Sequence, residues 1–555
     1  MNITEISKLQ SAHLLFEKHI MPKLVEEDAV YVFIGTESGL LLEYIEKKFS
    51  TDRKGRRFLF IELTDVISHF GGVSLPKWIK LIDDTNKIEF LLRSEYLDSV
   101  VTNKIITVSS ISFVDEINDY IKLEKDVSKL VKFYFNNRHE SLNEINYIRP
   151  IAYNMINNIN SIQDKENALA GSHAVIIGNG PSLDDAIDWI LENKEKLIIF
   201  AVARVASRLA LAGIRVHFFV TIDPTIESFN NSKFVLETNY PSVLINLNHA
   251  NENLVSLWQG ERLYLRSRYP WQEIANEDNL LLYMGNTVAH FAVASAIILG
   301  AKSIYLAGVD MCFKDAQTHA SGSAENELGS DYILQKTKVE TYQGVLADTS
   351  IDFEIGRDYL QKQVDYCYNT GKSISFYNLS PFAAKVDGIA LCQDSYIVAE
   401  NDAMQLTHHA LLTSLIATKE INLKHREAVI KEVQINRKHF LVVKKVADEL
   451  LNLSKKITEP PVTTTHKLDK LTTKLFSLLT DSQVVFINKL GYREFEKFES
   501  LICSLKNKDV QKLSAEELKQ VNIARYTAFC FGLSVAIALM NETLERIANK
   551  RNKDS

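Results

Sequence analysis

Short apolar runs, several of them closed by glycine or aspartate, alternate with amphipathic stretches as far as about residue 395. The runs read as buried strands and the stretches between them as helices. An amphipathic helix is predicted over 4–22, with Ile6, Leu9, Leu14, Leu15 and Ile20 apolar. Ala29–Ile34 is a strand, Gly35–Gly39 turns into a helix over Leu40–Lys48, and Arg57–Leu63 is a second strand with Glu62 near its end. Runs at Ile88–Leu92 and Ile105–Val114 continue the pattern, and 115–170 reads as mainly helical. The asparagine-rich Asn154–Asn160 leads toward a domain boundary near 165.

A second series opens at His173. Ala174–Ile177 is a strand, Gly178-Asn179-Gly180-Pro181 breaks it, and Ser182 caps a helix with Asp185 as capping-box partner. Further strands are predicted at Leu197–Ala203, Val216–Ile222, Ser242–Leu247, Arg262–Leu265, Ser303–Ala307 and Ser373–Asn378. Helices fall at Arg204–Leu211, Val288–Leu299 and Ile351–Asn369; the small residues of the second (Ala289, Ala292, Ala294, Ser295, Ala296) permit close packing on a sheet. After 395 the pattern changes. Residues 404–455 and 467–550 read as almost wholly helical, joined by a linker at Thr458–Thr465. The expected α/β architecture is a Rossmann-like N-terminal domain (1–165), a central doubly wound domain (166–400) and an all-helical C-terminal domain (401–555).

Composition adds exclusions. At 46% hydrophobic and 24% charged, the chain of 555 residues is of the soluble globular class. The net charge of −7, with no basic block, argues against a nucleic-acid partner. Five cysteines without a CxxC read as free thiols in a reducing compartment. The N-terminus lacks the form of a signal peptide, and the apolar run Thr527–Met540, interrupted by Ser534, falls short of the roughly 18 residues that span a bilayer. A cytoplasmic protein without a transmembrane segment is expected.

Doubly wound sheets seat ligands beyond the carboxyl ends of their strands. Gly178-Asn179-Gly180 with Ser182, Asp223, Gly285-Asn286-Thr287 and Asp310 all lie on that rim. A strand, a glycine turn and a helix N-terminus expose amides suited to a phosphate. The same residues also suit an ordinary strand-to-helix turn, because the spacing is neither a P-loop nor GxGxxG. The polar segment after Asp310, Lys314–Ser323, has the composition of a mobile loop. It holds His319, either a general base or a solvated loop histidine. In the N-terminal domain the glycine turn and Glu62 outline either a nucleotide-binding unit or a purely structural one. No carboxylate pair of DxD type is placed to hold a metal.

The segments VIIGNGPSL, FFVTIDPT, YMGNTVAHFAVASAIILGAKSIYLAGVDM and THASG stand in an order that resembles the Maf (motility-associated factor) proteins, which glycosylate bacterial flagellin. The resemblance spans essentially the whole chain. The central domain is also similar to bacterial sialyltransferases that use CMP-sialic acid. Their nucleotide contacts fall on Gly178 and Asn179, their asparagine-proline turn on Asp223-Pro224, and their hydroxyl-glycine turn on Gly285-Asn286-Thr287. This chain departs from them at three places. A nucleotide-contacting asparagine aligns with Ala203, a tyrosine with Cys312, and the catalytic histidine falls near Gly344–Leu346, where this chain has none; His319, at a place where the Maf pattern carries a histidine, is the nearest candidate replacement. The resemblance implies inverting transfer of a pseudaminic- or legionaminic-type nonulosonic acid from its CMP-linked donor to serine or threonine hydroxyls of flagellin. Together with the rim residues it gives an expected nucleotide site of Gly178, Asn179, Gly180, Ser182, Asp223, Gly285, Asn286, Thr287 and Asp310, with no cofactor beyond the donor, and no metal is expected because no DxD pair is present. The helical domain would recognise flagellin. Two alternatives stay open: an enzyme like the archaeal pterin diphosphokinases, which the central domain also resembles, and a non-catalytic flagellin-binding chaperone.

Overall fold

In the computed structural model the apolar runs pair as two parallel sheets, belonging to two compact units. The structure describes residues 12–68, 75–84, 87–88, 91, 96, 104–109, 118–142, 144–238, 241–272, 282, 285–315, 317–321, 336–392, 419–456, 462–497 and 514–554. One unit holds Met1–Leu142, Glu449–Asp469 and Tyr492–Ala528; the other holds Asn143–Asp448, Lys470–Gly491 and Phe529–Ser555. Parts of the C-terminal helical region therefore belong to each.

The first unit contains β1 (Val30–Ile34), β2 (Arg57–Ile61), β3 (Ile79–Ile82) and β4 (Ile105–Ser109), in the order β3-β2-β1-β4. Its helices include α1 (Leu40–Phe49) and α2 (Asn118–Leu142). Along β1, Val30, Val32 and Ile34 pack on one face while Tyr31 and Phe33 pack on the other. A strand buried on both faces reads as a continuous apolar run, which is why its position was visible in the sequence. Residues 12–19 are helical, and the remainder of the expected 4–22 helix lies outside the described residues. In the apolar run at 88–92, Ile88 and Leu91 are helical; the rest of that run, and residues 110–114, also lie outside them.

The second unit is built on nine strands: β5 (Asn160–Ser161), β6 (His173–Ile177), β7 (Leu197–Val202), β8 (Phe218–Thr221), β9 (Val243–Leu247), β10 (Glu261–Leu265), β11 (Ser303–Ala307), β14 (Ser375–Asn378) and β15 (Ile389–Leu391). Their order is β15-β14-β11-β6-β7-β8-β9-β10-β5, and every pairing is parallel. A separate antiparallel hairpin joins β12 (Lys336–Glu340) to β13 (Leu346–Ser350). Sequence reading missed β3, β5, β12, β13 and β15: β3, β5 and β15 are only two to four residues long, and the hairpin strands KTKVE and LADTS are too polar to register as apolar runs.

Helices α3 (Glu144–Asn154), α4 (Leu183–Asn193), α5 (Ala206–Leu211), α6 (Val288–Ile298) and α7 (Ile351–Asn369) surround this sheet. Every residue of α6 except Val288 is buried, and its small side chains let it lie against β6, β7 and β8. Residues of α4 and α5 pack on the opposite face, with Val175 and Ile177.

The C-terminal region forms α8 (Lys419–Lys455), α9 (Val462–Ser477), α10 (Asp481–Glu496) and α11 (Ala515–Asp554). The expected linker is shorter than read. Val462–Thr465 already belong to α9, and Thr458–Pro461 lie outside the described residues. The apolar run at Thr527–Met540 also needs correction. By length and composition the helix around it, Glu516–Asn549, is apolar enough to cross a membrane, and 56% of its apolar window is buried inside the protein.

Candidate active site

The chain leaves β6 for β7 and moves outward to β10, then returns to place β11 on the other side of β6. The turns that follow β6 and β11 thus diverge from adjacent strand ends, the position where parallel sheets open a crevice. A cavity of about 250 Å³ lies there. Its walls come from the Gly178–Pro181 turn, Arg204 beyond β7, Asp223 beyond β8, the start of α6 (Asn286–Ala289), the Gly308–Cys312 turn, Thr318 and His319, and Phe353 of α7. Among the expected nucleotide-binding residues, Gly178, Asn179, Gly180, Asp223, Asn286, Thr287 and Asp310 line it, and so does His319. Ser182 and Gly285 do not.

Both glycine amides of the turn are already committed. Gly178 N–H donates to Ala307 O and Gly180 N–H to Gly308 O, both at 2.8 Å, and Leu183 N–H donates to Gly180 O at 3.0 Å. Ser182 N–H donates to Asp310 Oδ2 at 2.9 Å, and the Ser182 hydroxyl donates to Asp310 Oδ1. The expected Ser182–Asp185 capping box is absent; Asp310 takes the place of a capping anion at the start of α4. The first turn of α4 is thus occupied by the protein's own carboxylate, contrary to the expectation of a phosphate there. Burial pushes the Asp310 carboxyl up to about 6, against the opposing pull of its bonds to Ser182. The glycines have a packing cause too. A Cβ at Gly180 would stand within 3.0 Å of Asp310 Oδ2 and Gly308 O, and one at Gly178 within 3.0 Å of Gly308 O.

A second knot holds the far wall. Thr287 caps α6 in a capping box with His290. His290 Nδ1 accepts Thr287 N–H at 3.2 Å, so its Nε2–H donates to Gly356 O at 2.8 Å and ties α6 to α7. Complete burial pushes the imidazole down to about 4, so the ring is neutral. Asn286 Nδ2 adds a bond to Asp352 O at 2.6 Å. Gly285 has its place because a Cβ there would press on the His290 side chain.

What is left for a ligand is narrower than the sequence implied. The Asn179 side chain and the Asp223 carboxylate make no hydrogen bond among the described residues. Val288 and Ala289, first in α6, have no acceptor within the helix for their N–H groups. Burial raises the Asp223 carboxyl, and the Arg204 guanidinium pulls it back down. Arg204 is the only guanidinium or ammonium group among the described lining residues, and sequence reading passed over it. The rule that singled out Asp223, a polar residue just beyond a strand end, would have found it. Ala203, where the sialyltransferase pattern has its asparagine, is buried in the core beside it. Cys312, in the place of that pattern's tyrosine, is also buried, and its thiol is pushed up to about 12. Gly344–Leu346, where the pattern has its histidine, is the exposed tip of the β12–β13 hairpin.

His319 is placed by a strap. Ala320 N–H donates to Asn179 O at 2.9 Å, and Thr318 Oγ1 lies 3.0 Å from His319 Nδ1. Thr318 and Ala320 are buried on either side of the half-buried histidine. The described part of the stretch expected to be mobile is therefore fastened as far as Ser321; Ala316, Gly322 and Ser323 lie outside the described residues.

Two Rossmann-like parallel sheets, the larger with a cavity at its switch point, define a doubly wound α/β protein. Over the whole chain this fold is similar to that of a solved structure described as the MAf glycosyltransferase from Magnetospirillum magneticum AMB-1. The TM-score is 0.52 at 14% identity, covering 93% of this chain and 80% of that one. A family model described as 6-hydroxymethylpterin diphosphokinase MptE-like matches residues 146–316. No curated protein matches the chain.

Proposed function

We propose that the protein is a glycosyltransferase of the Maf type, moving a nonulosonic acid from a CMP-linked donor to a serine or threonine hydroxyl of flagellin in the cytoplasm. The observation that carries this reading is the switch-point cavity, in which Asn179, Asp223 and Arg204 face the start of α6 and His319. The donor phosphate rests against the Val288 and Ala289 amides of α6, because Asp310 already fills the start of α4. The acceptor oxygen attacks the anomeric carbon as the bond to the CMP phosphate breaks, and CMP leaves as the anion. With Nδ1–H donating to Thr318 Oγ1, His319 Nε2 takes the hydroxyl proton. One displacement inverts the anomeric centre.

The experiment is co-expression with flagellin and a nonulosonic-acid pathway, read by intact mass of flagellin. The parent protein adds nonulosonic-acid masses, while His319→Ala loses roughly 10²–10⁴-fold in rate with CMP binding retained. Unmodified flagellin with the parent protein refutes the transferase reading. The family-model match favours a second reading, a pterin diphosphokinase-like enzyme. A thermal shift with ATP and none with CMP selects it.

A further inference from the structure

His319 is carried at the cavity by a strap, and beside the bond from Ala320 to Asn179 the strap is tied to two residues outside the cavity. Asp184, in the first turn of α4, accepts the Ser321 hydroxyl at 2.6 Å and the Ser321 N–H at 3.3 Å on Oδ2. Its Oδ1 pairs with the guanidinium of Arg208 on α5. Arg208 Nη1 donates in turn to Ser321 O at 2.9 Å. The donors and the acceptor of Ser321 are therefore all held by this pair. Both side chains are just over one-quarter exposed, and ion pairs of that kind contribute little to fold stability. What the pair does fix is geometry: Ser321 is two residues from His319, and Ala320 between them bonds to Asn179 O.

We propose that Asp184 and Arg208 are positioning residues that hold His319 at the cavity by clamping Ser321. The kinetic part of this proposal rests on the transferase reading; the structural part does not. Hydrogen–deuterium exchange of the full chain, read on peptides covering Gln317–Ser321, tests the structural part. Asp184→Ala should raise exchange at Ala320 by at least about tenfold, while Asp188→Ala, an exposed change on the same helix, should not. Transfer kinetics test the other part. Asp184→Ala should lower kcat about tenfold or more with donor KM within about twofold, and Asp184→Asn, which still accepts from Ser321, should recover part of the loss. Unchanged exchange in Asp184→Ala overturns the clamp whatever the activity. A loosened strap with unchanged kcat overturns its link to His319. A loosened strap in a protein whose parent transfers no sugar upholds the clamp and removes the transferase reading instead.

Discussion

Replacing Asp310 by asparagine isolates the cost of keeping a carboxylate at the floor of the cavity. Asparagine reproduces the protonated acid: its carbonyl accepts Ser182 N–H, and its NH₂ donates to the Ser182 hydroxyl. The native carboxyl titrates at about 6, whereas its ordinary value is 3.8. The folded state therefore holds this proton more tightly than the unfolded chain does. Stability from this group is fully present below pH 3.8 and is lost as pH rises through 6. A difference of about two units corresponds to about 3 kcal/mol. Urea unfolding of both proteins at intervals from pH 4 to pH 7 measures it. The variant should gain on the parent by about 2 kcal/mol across that range, with the gap flat above about pH 7. A gap that stays constant, or that shrinks as pH rises, would show that the buried carboxyl is not the titrating group. Taking the difference removes all the other ionisations, which the two proteins share.

Gly180→Ala should destabilise the protein by about 1–3 kcal/mol, seen as a lower urea midpoint at unchanged slope, because the new methyl meets Asp310 Oδ2 and Gly308 O. A variant as stable as the parent would return that glycine to a ligand-driven role. In the first unit, Glu62 accepts Thr36 N–H at 2.8 Å, Thr36 Oγ1–H at 2.7 Å, Leu63 N–H at 2.9 Å and the Tyr120 hydroxyl. A glutamine amide nitrogen accepts none of these, so Glu62→Gln should cost about 1–3 kcal/mol in urea unfolding while leaving CMP affinity untouched. A loss of CMP affinity at unchanged stability would make Glu62 a ligand residue.

Much of the fold was legible because parallel strands covered on both faces leave uninterrupted apolar runs, as at Ala174–Ile177 and Val30–Ile34. The rim residues were legible for a topological reason: each directly follows a strand or opens a helix, so Asn179, Asp223, Thr287 and Asp310 could be placed on one edge without coordinates. Their partners could not. That Asp310 would bond to Ser182, 128 residues earlier, follows from the adjacency of β6 and β11, which local pattern does not encode. Glu62 makes the same point. An acid after the second strand outlined either a nucleotide-binding unit or a structural one, and Thr36 and Tyr120 already occupy its oxygens. Phe353 enters the cavity from α7, far along the chain, and no feature of its own segment announced it.

The pairing of β6 with β11 also shapes how the polypeptide can be made. His173 and Ser303 bond across that pair, yet they are 130 residues apart in sequence. A ribosome adding about 5–20 residues per second needs about 7–26 s to cover that distance. For that interval the strands from β6 to β10 can assemble while one flank of β6 has no neighbour. An open apolar flank of this kind is where nascent polypeptides stick to one another. Overproduction should therefore yield insoluble material that slower synthesis at low temperature reduces.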